Sequence, residues 1–304
     1  MAKKKRSFNQ ISTGWNIVIS AMLIIASLFV VLPLLLVVII SFSSAESIAL
    51  HGYTFLPSEF SLAAYKNLMK TGTQIKNSYI ITIFYTITGT VLSLAVMSMF
   101  AYVLAQKRFP ARKGLTFYAF FTMLFSGGLV PSYILNVRYL HLDDTIWIFI
   151  LPSLVSAYYV IILRTFIQTT IPDTLFEAAI IDGANDFTIF CKIVLPLFKA
   201  GLATIGLFNV VNRWNDWFTG MLYIENPKLI PLQTMLQKIQ RNIEFIKQNA
   251  EFADTAMGLE LLRSMPTEST RMAITIIAVV PILFAYPFFQ RYFIKGLTIG
   301  SIKG

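Results

Sequence analysis

The chain has 304 residues, of which 56% are hydrophobic and 13% charged, with a formal net charge of +10. A soluble domain of this size carries about 25% charged residues, so the composition excludes an ordinary water-soluble fold and indicates an integral membrane protein. On so apolar a chain the basic excess reports membrane topology and anionic headgroups, not nucleic acid.

Long unbroken apolar runs predict an all-α membrane protein, because barrel strands would alternate in short segments. Six runs reach the roughly 20 residues a bilayer requires: 17–42, 79–105, 114–135, 145–168, 193–215 and 272–293. Residues 1–16 read as a basic N-terminal segment and 17–304 as one transmembrane domain. Lys3, Lys4, Lys5 and Arg6 precede the first run, which is too long and lacks the small-residue cleavage pattern of a signal peptide, so it reads as a retained helix. With six spans, these residues share one side with Lys107, Arg108, Arg112, Lys113, Arg291, Lys295 and Lys303. That side is the cytoplasm by the positive-inside rule, which puts both termini there and loops 43–78 and 216–271 outside.

In the third run Gly127, Gly128 and Pro131 allow either close helix approach or a break. "HLDD" at 141–144 could be drawn as a metal cluster, but a turn before a helix makes Asp144 an N-cap instead. The single cysteine, Cys191, excludes an internal disulfide and reads as a small buried hydrophobe. No glycine-rich phosphate loop is present, and no paired catalytic groups lie in the spans. The spans carry almost no ionisable residues, whereas ion-coupled carriers keep such groups at membrane depth. Energy for transport would therefore come from a partner, and the chain is not expected to be an enzyme.

Between the fourth and fifth runs stands "EAAIIDGANDFTIFCKIVLPL", residues 177–197. Pro172 suits a first helical turn, and a short helix over about 172–187 would carry Phe176, Ile180, Ala184 and Phe187 as one apolar stripe, with Glu177 and Asp182 off it. Gly183 permits a left-handed turn, Asn185 or Asp186 can cap a second helix, and Pro196 removes a backbone donor and kinks the fifth span. From pattern alone this is either an interfacial helix or a docking segment.

Further along, "NVVNRWNDW" supplies Asn209, Asn212, Arg213, Trp214, Asn215, Asp216 and Trp217 near the outer end of the fifth run. Amide, carboxylate and aromatic groups in this density suit a saccharide, while tryptophans at a membrane boundary also serve as anchors. Tyr133, Tyr158 and Tyr159 are weaker pathway candidates. In the last outer loop Leu232, Met235, Leu236, Ile239, Ile243 and Ile246 share one helical face, with Lys238, Arg241, Glu244 and Lys247 around them.

Glu177, Ala178, Ala179, Gly183, Ile193, Leu195 and Pro196 reproduce in residue and spacing the EAA motif of membrane subunits of binding-protein-dependent ABC importers. "RWNDW" at 213–217 resembles carbohydrate-importer permeases of the maltose-type class, and the tail from Met265 resembles the LplC- or YtcP-like branch found in Gram-positive bacteria. The resemblance implies a six-helix type I importer permease in the cell membrane, importing a saccharide and working beside a second homologous permease. It further implies two ATPase subunits, which hold the ATP and Mg, and an extracellular lipid-anchored solute-binding protein. No cofactor is implied in this chain. Glu177, Ala178, Ala179, Asp182, Gly183, Ala184, Phe187, Ile193, Leu195 and Pro196 would form the ATPase-coupling element. Alternatives are a non-transporting scaffold or sensor with the same fold, or import of a peptide or lipid-linked cargo.

Overall fold

The computed structural model describes residues 13–57, 59–71, 73–249, 251, 255–264 and 266–300. The basic cluster Lys3 to Arg6, Met265 and Lys303 lie outside the described residues, and the side chains of Lys247, Arg291 and Lys295 are likewise outside the description. The chain divides into two compact units, one of 1–71 with 264–277 and the other of 72–263 with 278–304.

The first unit begins with α1 (Thr13–Ser41), whose side chains are exposed along most of its length, Phe29 among them at 77%. Next come α2 (Ala45–His51) and α3 (Ala63–Thr71). Ser44 caps α2 by accepting from the Ser47 amide at 3.1 Å, satisfying one of the donors that every helix start leaves open. Phe42 stacks on both Phe60 and Tyr65, with ring centroids 5.6 and 4.9 Å apart. The Tyr53 hydroxyl donates to Glu268 Oε2 at 3.1 Å, and burial together with that carboxylate raises its pKa.

The second unit is organised on α4 (Thr73–Ala105), a single 33-residue helix. Its buried face runs through Ser78, Thr82, Tyr85, Gly89, Ser93, Met97 and Ala101, spacings of three and four that keep one stripe facing its neighbours. Most of these side chains are small, as expected where helices associate in lipid through close packing without a hydrophobic drive. Against α4 pack α5 (Arg112–Leu124), α7 (Ala157–Thr170) and α11 (Lys199–Trp214). Met97, Leu104, Leu163, Ile167, Val194 and Ile205 form the centre of this core.

Among the described residues, three helical stretches are long and apolar enough to cross a membrane, within Gly14–Ser41, Thr73–Ala105 and Glu268–Gln290. Two bent pairs raise the number to five if each is one span. The expected span 114–135 is broken: α5 turns through 111° into α6 (Leu129–Ile134) and a π-helical turn, Leu135–Tyr139. Gly128, at φ 86°, supplies the left-handed residue at that corner. The expected span 145–168 is not one helix either, since a 3₁₀ turn, Ile146–Phe149, and an irregular stretch precede α7. The expected span 193–215 is reached through α8 (Asp173–Ile181), α9 (Asp186–Ile189), a π-helical turn Phe190–Val194 and α10 (Leu195–Leu197), then bends by 79° before α11. Pro196 at this bend cannot donate to the preceding turn, which agrees with the expected kink.

Beyond α11 lie α12 (Phe218–Tyr223), α13 (Leu232–Gln248), α14 (Ala256–Ser264) and α15 (Glu268–Gly300). The amphipathic face read in α13 packs inward, with Leu232, Met235 and Ile246 buried and Leu236, Ile239 and Ile243 half-buried.

Asp144 departs from expectation. Position 145, not 144, precedes the 3₁₀ turn, and it makes no side-chain cap. Asp144 has φ 52° and accepts from the Glu225 and Asn226 amides, both at 2.8 Å. Its carboxylate thus ties its own loop to a distant one. That long-range partner, invisible in local pattern, outcompetes the cap.

Candidate functional site

The EAA segment is a helix, a left-handed corner and a second helix. At the end of α8 the Gly183 amide donates to Ile180 O at 3.0 Å and the Ala184 amide to Ala179 O at 2.9 Å. These are the two bonds of a Schellman motif, and Gly183 sits at φ 77° where a Cβ would be strained. Ala179 and Ala184 are the positions such a motif brings into apolar contact. Ala179 is buried in the core and Ala184 packs against it. The motif's small residues and its glycine therefore follow from closing this turn. Asn185 then caps α9 by accepting from the Thr188 amide at 2.8 Å.

The expected stripe is only partly buried. Phe176 and Ala184 turn inward, but Ile180 is 40% and Phe187 70% exposed. The corner sends the chain in a new direction, so a helical spacing carried across Gly183 no longer describes one face. Leu175, Ala178, Ile181 and Asp182 form an exposed strip, with Ile181 at 85%, and Glu177 is exposed beside it. Ile193 and Leu195 are half-buried against the core and Pro196 is exposed, so the end of the motif shapes the bend. Cys191 is half-buried against the same core.

Lys107 and Arg108 hold this segment from the turn after α4. Lys107 ion-pairs with Asp173 at the start of α8, and Arg108 with Asp186 at the start of α9. The Tyr102 hydroxyl adds a bond to Asp186 Oδ1 at 3.1 Å. Both carboxylates stand in first turns, where they complement the helix dipole. The pairs are too exposed to stabilise much, so their effect is placement. By the positive-inside rule alone, these two cations indicate topology and not a contact. An adjacent Lys-Arg pair and an acid opening each of two helices were the available signal.

A second site lies between α7 and α11. Ser153, Ser156, Tyr158, Tyr159, Asn209, Asn212, Arg213 and Asp216, with Val155, line a cleft of about 440 Å³. Asn212 donates to the Tyr159 hydroxyl at 3.0 Å, and Asp216 Oδ1 accepts from the Thr219 amide at 3.0 Å. Tyr158 is exposed at 56%, whereas Asn209 is buried and donates to Ile205 O. At 1.5 Å rise per residue, Asn209 and Asn212 stand about 15 to 20 Å along α11 from its start, and Tyr158 about 18 Å from the end of α7. The cleft is thus roughly half or more of a bilayer core away from the EAA segment.

Arg213 is the floor of this cleft and is 5% exposed. Its Nη1 donates to Phe149 O at 2.6 Å, and its Nη2 to Ser93 Oγ at 2.7 Å and Ser153 O at 2.9 Å. The Tyr85 hydroxyl donates to the Arg213 carbonyl at 2.9 Å. One guanidinium therefore joins α4, α11 and the irregular stretch before α7. It is one of the few ionisable groups in the expected spans, and the fold buries it.

Other pathway candidates lie elsewhere. Trp214 is buried, donating to Ala278 O at 2.9 Å and meeting Tyr79 edge-on. Asn215 donates to Val211 O, and Trp217 packs against Phe218 and under the Arg241 guanidinium. Tyr133 stacks on Tyr223, with centroids 5.5 Å apart. Helical rotation separates neighbours in sequence onto different faces, which a count of polar and aromatic residues cannot see.

The family model of the binding-protein-dependent transport system inner membrane component matches residues 106–299, a stretch holding both sites. This chain belongs to that family. The polygalacturonan/rhamnogalacturonan transport system permease protein YtcP of Bacillus subtilis (strain 168) is 38% identical over 95% of this chain and 98% of its own. Protein LplC of the same strain is 36% identical over 90% of each. A crystal structure of a bacterial ABC transporter involved in the import of the acidic polysaccharide alginate matches with a TM-score of 0.79 and 33% identity, covering 93% of this chain and 99% of that one. The permease is thus a membrane component of an ABC importer, with the fold of that class and with ATP hydrolysis on a separate subunit.

Proposed function

We propose that this permease passes an acidic oligosaccharide inward through the cleft between α7 and α11, driven by an ATPase seated on α8 and the Gly183 corner. YtcP is named for polygalacturonan and rhamnogalacturonan transport, and the matched structure is of a transporter involved in the import of the acidic polysaccharide alginate, which supports that cargo class. The observation that carries the transport reading is that one pair of helices bears both sites. α7 runs from Tyr158 in the cleft to α8, and α11 runs from the bend after α10 back to Asn212.

Positive charge at Lys107, Arg108, Arg112 and Lys113 supports a cytoplasmic α8 with both termini on that side, and residues 17–304 acting as one translocation domain of six crossings. The segment around 146–170 supplies the crossing that is not a single helix. A second homologous permease, two ATPase subunits with their ATP and Mg, and an extracellular lipid-anchored binding protein complete the importer. Closure of the ATPase dimer pushes the exposed strip Leu175, Ala178, Ile181 and Asp182 together with Glu177 and Phe187. Lys107 and Arg108 carry that push to α4, while α7 and the bend before α11 carry it to the cleft. Such a packed interface changes between discrete arrangements instead of deforming smoothly.

In the cleft, tyrosine faces suit the apolar side of a sugar ring, and Asn212, Ser153, Ser156 and Asp216 suit its hydroxyls. The test is ATP hydrolysis by the purified complex in lipid, with its binding protein loaded by oligogalacturonate, alginate oligomers or neutral malto-oligosaccharides. Stimulation by an acidic oligomer is expected. Stimulation by the neutral series alone would overturn the cargo class, and hydrolysis indifferent to every loaded sugar would overturn saccharide import in favour of a sensor.

A further inference from the structure

A larger cavity, about 720 Å³, opens where the turn after α4 and the first turns of α5 meet α7, apart from the cleft and sharing only Lys107 with the EAA segment's supports. Lys107, Arg112, Lys113 and Arg164 line it together with Phe117 and Phe120, and no carboxylate does. Lys107 is committed to Asp173. Among the described residues Arg112, Lys113 and Arg164 have no ion-pair partner. Arg164 is half-buried, and its Nε is shut from solvent with no acceptor. Cations gathered without an anion repel one another, and an incoming anion would relieve that repulsion.

The aromatic lining distinguishes a lipid from a soluble anion. Arg112, Thr116 and Phe120 follow one another at i, i+4 and i+8 on α5, and Lys113 precedes Phe117 by four. The rings therefore stand about 6 to 12 Å along the helix from the cations. Phe117 and Phe120 are 69% and 50% exposed. A pocket with charge at one end and exposed phenyl rings further along the same helix matches a phosphate headgroup followed by acyl chains, and basic pockets between helices on the cytoplasmic side hold anionic headgroups.

We propose that this cavity binds one anionic glycerophospholipid of the cytoplasmic leaflet, its phosphate on Arg112, Lys113 and Arg164 and its chains along Phe117 and Phe120. The leaflet follows from the orientation proposed above. The binding itself is testable without that orientation, because micelles have no sides.

The intact importer, delipidated in neutral detergent, is titrated with dioleoylphosphatidylglycerol and separately with dioleoylphosphatidylcholine, and retained lipid is read by native mass spectrometry. Retention of the first lipid and not the second is expected. Arg112→Gln with Lys113→Gln should weaken it roughly thirtyfold. The exposed pair Lys76→Gln with Lys228→Gln should leave it unchanged. An equal loss in both double variants, or displacement of the lipid by millimolar inorganic phosphate, would overturn the proposal. So would a pocket variant that sheds partner subunits, which would mark the cavity as a protein contact. A photoactivatable phosphatidylglycerol on the wild-type importer gives a readout independent of folding in any variant: crosslinks within 107–120 are expected, and their absence overturns the site. Loss of lipid retention leaves the transport reading standing, because sugar-stimulated ATP hydrolysis reports on that alone.

Discussion

Gly89 leaves the space that Arg213 occupies: a Cβ on Gly89 would stand 2.6 Å from Arg213 Nη1 and 2.7 Å from its Cζ. The guanidinium cannot retreat without surrendering its bonds to Phe149, Ser93 and Ser153. Gly89→Ala is expected to destabilise the complex by about 1 to 3 kcal/mol through overpacking. Thermal unfolding of the importer in micelles measures it, and an unchanged midpoint would contradict the packing described.

Arg213→Lys should not rescue what Arg213→Met loses. A single ammonium cannot reproduce a planar fork that reaches acceptors on two separate elements. Both variants are expected to cost about 3 kcal/mol, since each leaves buried acceptors short of a donor. Equal stability of the lysine variant and wild type would show that charge alone suffices.

At the Gly183 corner, asparagine should be tolerated better than alanine, because φ 77° suits asparagine among residues with a side chain. Gly183→Ala is expected to cost about 1 kcal/mol locally. Gly183→Pro, whose φ is fixed near −65°, should abolish uptake at normal membrane abundance, as should Glu177→Lys. Normal transport in either of the last two would count against the coupling role.

Arg108→Asp should impair uptake, and Asp186→Arg in the same chain should restore part of it. Exposed ion pairs contribute at most about 1 kcal/mol, so little change in thermal stability accompanies either step. Uptake by the swapped pair no better than by the single variant would argue that Arg108 acts by something other than holding α9.

In the cleft, Tyr158→Ala and Asn212→Ala are each expected to raise the apparent KM for uptake by about tenfold, the loss of roughly one ring face or one hydrogen bond. Basal ATP hydrolysis should not change. A fall in basal hydrolysis instead would place these residues in coupling.

The sequence by itself determined the membrane class and the EAA corner, and narrowed the cap of the helix after it to Asn185 or Asp186. Hydrocarbon demands long apolar runs, and a helix that ends in a left-handed residue demands glycine, so both constraints are local and leave local marks. The tertiary structure decided where the spans break, which of Asn209 to Trp217 share a cleft, and that Arg213 is buried. It also paired Lys107 and Arg108 with Asp173 and Asp186. Each depends on partners far away in sequence. The stripe on α4 shows why such partners stay hidden: Ser78, Thr82, Gly89 and Ser93 are buried because they are small, and in a helix whose outer face meets lipid, hydropathy does not separate the packed side from the exposed one.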